Sequence, residues 1–376
     1  MSRKAAKKTK PSRPRAARKP AGASAPSGIR LPMLGDPHDI HIAREIERKV
    51  LEAKRIVVLG HERPDGDCVG STVALGMALK ALGRDVHVLL EPKLPVRFKY
   101  LFEPGEVRPK QKGQSTRRYP ADLAIVLDTT DVDRISGLVP AQIAGITIVN
   151  IDHHMSNNNF GDLNWVDTSA AAAGELVYRL TSVLGWAVPP VALDALYTAL
   201  VTDTGQFAYS NTTPRVLRMA AELLAAGVDG EELWRRLYLD KSRAELDLEA
   251  RARTSLEVWA NGQISCITLT QADFEKTGTG PQMTQEFPGI PRALAGSKLA
   301  VFFYAVNGGK DTKVSIRSVK ELDACALAKR FGGGGHRQAA GCTIPLPMKE
   351  AKDLFRPAAE KMLKEHAALS TAGKSD

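Results

Sequence analysis

The chain opens its regular part with two different apolar patterns. From Asp39 to Ala53 apolar side chains recur at Ile42, Ile46 and Val50, the spacing of one helix face. Arg55 to Gly60 (RIVVLG) is instead a continuous apolar run, as expected of a strand buried on both faces. A Pro/Gly loop, a helix over about Val69 to Leu82 and a second run at Val86 to Leu90 complete a strand–helix–strand unit. That unit is the βαβ signature of a parallel sheet. Leu123 to Leu127 and Ile146 to Ile151 predict two more buried strands, the first entered through a polar, basic loop from about Lys110 to Tyr119.

Helical periodicity then takes over, with helices near Ala172–Leu184, Pro190–Thr202, Pro214–Ala226 and Glu231–Leu239. Helix-rich sequence continues over Ser242 to Ala260 and reads as a connector. A second unit begins near Asn261, with strands at Gln263–Leu269, Leu299–Val306 and Lys313–Arg317 and a helix near Asp323–Phe331. The glycine tract Gly332–Gly335 and a C-terminal helix at about Met348–Leu369 close it. The predicted fold is α/β in two domains: residues 38–240 with a mainly parallel sheet flanked by helices, a connector at 241–260, and a smaller α/β unit at 261–370.

Composition keeps this picture and removes some alternatives. A hydrophobic fraction of 43% and a charged fraction of 25% suit a soluble globular chain of 376 residues, long enough for two domains. No run approaches the roughly 20 apolar residues of a membrane span, and the N-terminus lacks the apolar core of a signal peptide. Cys68, Cys266, Cys325 and Cys342 are scattered without a C-x-x-C pair, which suits a reducing cytoplasm and disfavours a disulfide framework.

The net charge of +10 looks like a nucleic-acid signal until it is located. Ten of the 52 Lys/Arg residues lie between Met1 and Arg30, where there is no acidic residue, so 42 basic residues face 42 acidic ones afterwards. The whole excess therefore sits in a Lys/Pro/Ala/Ser tail, residues 1–30, whose composition predicts disorder. The tail reads equally as a solubilising extension or as an arm touching RNA. A transit peptide fits less well, given its many lysines and four prolines.

Candidate chemistry gathers where ligands bind in open α/β sheets, beyond the C-terminal ends of strands. H-E-R-P-D-G-D places His61, Asp65 and Asp67 directly after RIVVLG; Asp128 follows LAIVL; Asp152-His153-His154 follows ITIVNI; and Asp203 ends an apolar helix in L-V-T-D-T-G. Each has an ordinary reading as a turn or helix cap. Together they have one chemical meaning. Four carboxylates brought together would repel and drive their pKa values up, whereas two divalent ions balance them. Mixed carboxylate and imidazole donors without thiolate favour manganese, with magnesium or cobalt as alternatives. Paired metals about 3.5–4 Å apart activate a bridging hydroxide for in-line phosphoryl displacement.

These motifs, in this order, resemble the DHH phosphoesterases, and the segments around Asp152–Asp167 and Leu196–Thr213 are similar to the branch of oligoribonuclease/pAp-phosphatase enzymes. S-I-R-S (Ser315–Ser318) and F-G-G-G-G-H-R-Q-A-A-G (Phe331–Gly341) resemble that branch's DHHA1 domain, so the resemblance runs from about Asp39 to Glu365. It implies an active cleft between the domains. His61, Asp65 and Asp128 would hold one metal; Asp67, Asp128, His153 and Asp203 the other, with Asp128 bridging. His154 would face the scissile phosphate and Asp152 would support the site, so Asp128, Asp152 and His154 are the catalytic candidates. Arg317, Ser318, Gly333, Gly334, Gly335 and His336 would grip substrate phosphate, the glycines by backbone N–H groups and Arg317 by its fork. Phe207 and Tyr209 are candidates for base stacking or for core packing.

The implied substrates are short oligoribonucleotides and 3′-phosphoadenosine 5′-phosphate (pAp), hydrolysed to mononucleotides and AMP. Cyclic di-AMP or its linear product pApA is the nearest alternative, and a nucleotide or RNA sensor without turnover the alternative from another class. A sensor would be marked by a lost metal donor, and none is lost here. No membrane partner is expected, and a homodimer is compatible with the sequence without being required by it.

Overall fold

The computed structural model describes residues 28–32, 37–90, 94, 96–101, 118–136, 138 and 140–372; the predicted disordered tail up to Ser27 and most of the basic loop before Tyr119 lie outside them. The first unit runs β1 (Ile29–Arg30), α1 (Pro37–Glu52), β2 (Arg55–Leu59), α2 (Gly66–Ala81), β3 (Asp85–Leu89), β4 (Leu123–Leu127), α3 (Pro140–Ile143), β5 (Thr147–Asp152) and β6 (Leu163–Val166). It continues through α4 (Ala173–Leu184), β7 (Ala187–Val188), α5 (Pro190–Asp203), α6 (Pro214–Ala225) and α7 (Gly230–Tyr238). After α8 (Arg243–Thr254) the second unit follows as β8 (Glu257–Trp259), β9 (Ile264–Leu269), α9 (Gln271–Thr277), α10 (Gly289–Arg292), β10 (Leu299–Val306) and β11 (Asp311–Ser318). It ends with α11 (Ala324–Lys329), β12 (Gly334–His336), β13 (Ala339–Ile344) and α12 (Met348–Ala372).

The first sheet has the order β3-β2-β4-β5-β6 and every pair is parallel. Its continuous apolar strands are explained by burial on both faces. Ile56 and Val58 enter the core beneath the helices, while Val57 and Leu59 enter a second cluster with Val126 and Ile146. Strand order reverses between β2 and β4, the switch point at which loops leave in opposite directions and open a crevice. The loops carrying His61 and Asp128 leave the sheet at that crevice.

The second sheet is β12-β13-β11-β10-β9-β8, antiparallel except for β9 with β10. Its register puts Val314 and Ile316 of β11 into a core with Phe303 and Phe355, so Lys313, Ser315 and Arg317 face the other way. Helix α2 begins three residues before the predicted start because Asp65 caps it, accepting from the backbone of Asp67 and Cys68. The helix-rich reading of Ser242–Ala260 is corrected at its end. The helix stops at Thr254, and Glu257–Trp259 forms an edge strand whose Trp259 packs against Phe303. No helix among the described residues is long and apolar enough to cross a membrane.

Three glycines set how closely the helices behind the sheet approach. A Cβ at Gly66 would lie 2.4 Å from the Thr202 side chain, at Gly70 2.4 Å from the Ala195 carbonyl oxygen, and at Gly174 2.4 Å from the Ala199 Cβ. Helices α2, α4 and α5 therefore meet nearly backbone to backbone, with their functional ends together. Gly70→Ala forces α2 away from a backbone atom that has no rotamer to adopt. It is expected to cost about 1–3 kcal/mol of stability, as overpacking does, measured by urea unfolding followed through Trp165 and Trp186 fluorescence. An unchanged midpoint would show that these helices separate freely.

Candidate metal centre

Each side chain of the centre is aimed by backbone groups before any ligand enters. Asp65 is half-exposed at the cap of α2, and Asp67, in its first turn, is buried. The Asp67 oxygens accept from Ala173 N (2.6 Å) and Gly174 N (2.8 Å) at the start of α4, whose dipole favours a carboxylate there. Asp128 follows β4 with φ of 53°, a left-handed conformation that costs a non-glycine residue strain and persists where the surroundings impose it. Its own N–H donates to Ile151 O (3.0 Å), which locks that turn onto β5.

The two imidazoles are fixed in one tautomer. His61 Nδ1 lies 2.8 Å from Glu62 O, and His153 Nδ1 lies 3.3 Å from Ala170 O. A carbonyl only accepts, so each Nδ1 carries the proton and each Nε2 lone pair faces inward. His153 Nε2 then stands 3.6 Å from Asp67 Oδ2, 3.5 Å from Asp128 Oδ1 and 3.6 Å from Asp203 Oδ2. His61 Nε2 stands 3.4 Å from Asp128 Oδ2 and 3.9 Å from Asp65 Oδ1.

These separations exceed the roughly 2.7–3.2 Å of hydrogen bonds. They match donors that each sit about 2.0–2.2 Å from one shared cation. Asp128 divides its oxygens, Oδ1 toward His153 and Oδ2 toward His61, and buried Oδ1 has no hydrogen-bond partner among the described residues. The donor set therefore fits two cations on either side of one carboxylate.

Electrostatics point the same way. Burial, and then repulsion from Asp128, push the Asp67 carboxyl well above the usual range. Burial also lifts Asp203, to about 6, helped by Asp65 and Asp128 and opposed by His153. Burial disfavours a charged His153, yet Asp128, Asp203 and Asp67 overcome it and raise its pKa well above the ordinary value. The cluster is short of positive charge, which divalent cations supply without protons.

Asp152 and His154 lie beside this set. Asp152 Oδ1 accepts from His154 Nδ1 (2.8 Å) and from the backbone of His153 (2.8 Å), and Oδ2 from Asn157 Nδ2 (2.6 Å). His336, from β12 of the second unit, stacks on His154 with ring centroids 4.4 Å apart. Burial, then His154 and His153, hold His336 neutral, its pKa lowered to about 3.

A cavity of about 400 Å³ opens between the units, with Asp65, His153 and Asp203 on one wall and Arg317, Ser318 and His336 on the other. Tyr209 lines it under the Arg292 guanidinium (4.9 Å), whereas Phe207 packs on the first core against Tyr197. The glycine tract meets β13. A Cβ at Gly333 would lie 2.2 Å from Gly341 O and at Gly335, with φ of 134°, 2.6 Å from Ala339 O, whereas at Gly332 and Gly334 it would face open space. Close strand packing thus accounts for Gly333 and Gly335.

Sequence reasoning missed the supports. Asn157 Nδ2 also donates to Asn150 Oδ1, and Asn150, buried in β5, donates to Val126 O and Thr129 O. Asn211 Nδ2 ties Ala171 O to Asp203 O. A polar residue inside ITIVNI was the one visible signal for Asn150.

The DHH family N-terminal domain matches residues 55–202 and the DHHA1 domain matches 264–365. The bifunctional oligoribonuclease and PAP phosphatase NrnA of Thermus thermophilus is 34% identical over 292 residues, 77% of this chain and 84% of the relative. That of Bacillus subtilis is 29% identical over 303 residues, 80% of this chain and 92% of the relative. An exopolyphosphatase-related protein from Bacteroides fragilis has a crystal structure that superposes with a TM-score of 0.79 at 25% identity, covering 87% of this chain and 98% of that one.

Cation binding here competes with protons. Burial lifts the Asp203 carboxyl to about 6, and the Asp67 carboxyl and His153 imidazole also hold protons well above their ordinary ranges. Affinity is therefore expected to rise with pH across the whole range from pH 5 to 8, with proton release on binding. Calorimetric titration with Mn²⁺ from pH 5 to 8 reads both. Affinity independent of pH over this range would rule out these carboxylates as donors.

Proposed function

The chain belongs to the DHH family, with its DHHA1 companion domain, and from that premise we propose a divalent-cation-dependent phosphoesterase that hydrolyses short oligoribonucleotides to mononucleotides and pAp to AMP. The observation that carries the reading is Asp128, its two oxygens divided between two imidazoles, of which His153 lines a cavity walled by Arg317 and His336. His61, Asp65 and Asp128 would hold one cation, and Asp67, Asp128, His153 and Asp203 the other. Manganese suits this donor set best, with magnesium or cobalt able to replace it. When bound, paired cations make water a nucleophile at neutral pH and offset charge that develops on phosphate oxygens.

The chain's own groups do the rest. Asp152 holds Nδ1 of His154, which leaves Nε2 directed at the scissile phosphate, and His336 closes over that ring. Arg317 presents its guanidinium to the phosphate at the other end of the nucleotide, where two N–H donors match two oxygens. Tyr209 offers a ring to the base, tolerant of sequence because every base has a stacking face. A nucleotide gripped at one end and cut at the other suits substrates a few residues long.

A manganese-supplemented assay on pAp, pApA, a five-mer, long RNA, cyclic di-AMP and pyrophosphate tests the reading. Mononucleotide release from two- to five-mers and AMP from pAp are expected; turnover of pyrophosphate alone would overturn it, and preference for cyclic di-AMP would move the substrate. Asp128→Ala is expected to lower turnover on every substrate by more than about 100-fold, beyond what loss of an outer support produces. Near wild-type rates in that variant would refute the shared carboxylate.

A further inference from the structure

The ring that the cavity presents to a base is not bare. Asp203 ends α5, and the chain then turns through three left-handed residues, Gly205, Gln206 and Phe207, with φ of 56°, 62° and 63°. Ala208 N and Tyr209 N both donate to Thr204 O (3.1 and 2.9 Å), which closes the turn and folds Tyr209 back over its start. A Cβ at Gly205 would lie 2.4, 2.5 and 2.6 Å from Cζ, Cε1 and Cε2 of the Tyr209 ring. A point almost equally far from these three carbons stands over a face of the ring, so the glycine closes that face. Asn211 Nδ2, on Asp203 O (3.1 Å), holds the far end of the turn, and the ring is thereby fixed relative to the metal centre.

Arg292 covers the ring from the second unit. Its guanidinium carbon lies over Tyr209, 4.9 Å from the ring centroid. Arg292 and Tyr209 both line the cavity, whereas Gly205 does not, so the glycine is behind the ring and the guanidinium in front of it. The backbone that carries Arg292 is anchored: Pro291 is buried, and its carbonyl accepts from Ser265 Oγ of β9 (2.6 Å). The Arg292 side chain is exposed and has no other tie. Among the described residues it makes no hydrogen bond and no ion pair within 4.0 Å. Glu286, the acidic residue that the second unit brings to the cavity, is paired with Arg97 (3.0 Å). A guanidinium laid on an aromatic ring and bound to no carboxylate keeps a planar face for a ligand.

We propose that Arg292 is the base-binding surface of the cavity: the nucleobase of the substrate stacks on its guanidinium, with Tyr209 and Gly205 as the layers beneath. The inference rests on the nucleotide reading given above and deepens it, since it names the group that meets the base. Guanidinium planes stack on unpaired bases of any kind, so the platform tolerates sequence while requiring that a base be present. Arg317, on β11, is left to phosphate. A shortened side chain at 292 leaves a gap one layer thick above Tyr209, which a base pinned by its phosphate does not close.

The full-length protein loaded with Mn²⁺ tests this by calorimetric titration with AMP and with ribose 5-phosphate, which carries the phosphate and no base. Wild type is expected to bind AMP about tenfold more tightly, within the range for one stacked base. Arg292→Ala is expected to bring AMP to the affinity of ribose 5-phosphate and to leave the latter where it was. Arg292→Lys keeps the charge without the plane and is expected to match Arg292→Ala. Arg292→Trp supplies a plane without the charge and is expected to retain most of the preference. In turnover of pAp, the Arg292→Ala loss is expected as about a tenfold rise in KM.

An equal loss on both ligands would make Arg292 a phosphate contact or a strut between the units, and rescue by Arg292→Lys would make it a charge alone. Either result overturns the platform, as does an AMP preference that is missing in wild type or unchanged in Arg292→Ala. A wild type that turns over neither pAp nor any oligoribonucleotide overturns the functional reading instead, while the two affinities still judge the platform.

Discussion

Charge neutrality inside a buried volume is the constraint on which the rest depends. Asp67 and Asp128 are almost wholly buried, Asp203 is mostly so, and all three converge on His153 Nε2. Carboxylates packed this way are unfavourable unless positive charge joins them. Protons on His153 and Asp67 partly meet the demand, at the cost of the lone pairs that make these groups useful. Cations meet it while leaving every donor ionised, which is why the same residues read as strained without a countercharge and complementary with one.

Holding such a cluster requires a scaffold that does not relax, and the surroundings are built for that. The segment from Asp167 to Glu175 aims two of the donors: it supplies the carbonyl on His153 and the two amides on Asp67. A buried ion network anchors it. Arg179, beneath the face of Trp165, binds Asp39 and Asp167, while Glu175 accepts from Ala171 N and Arg215. Breaking one partner of such a network leaves a charge without compensation. The rigidity of the donors is therefore secured about one helix turn away from them.

How much of this was legible in the sequence follows from what kind of group does each job. His61, Asp65, Asp67, Asp128, His153 and Asp203 stood out because polar residues at strand ends interrupt apolar runs, and their spacing is a chain property. The carbonyls of Glu62 and Ala170 and the amides of Ala173 and Gly174 could not stand out, since any residue carries them. The glycine tract was visible, but its reason was not: Gly333 and Gly335 answer to β13, a neighbour set by tertiary pairing. Strand β6 (LNWV) is too short and too polar to betray itself by periodicity, and β8 owes its conformation to the sheet edge it joins.

The two units meet through modest polar contacts: Arg97 with Glu286, Ser210 with Gln338, and the His154–His336 ring stack. Interfaces of this kind permit relative motion of domains. His336 belongs to one lobe and His154 to the other, so the working constellation exists only while the lobes are shut. Parting the lobes would separate His336 from His154 while leaving each lobe its own core. A seam of this kind gives adaptation to a hotter or colder habitat a place to act apart from either core.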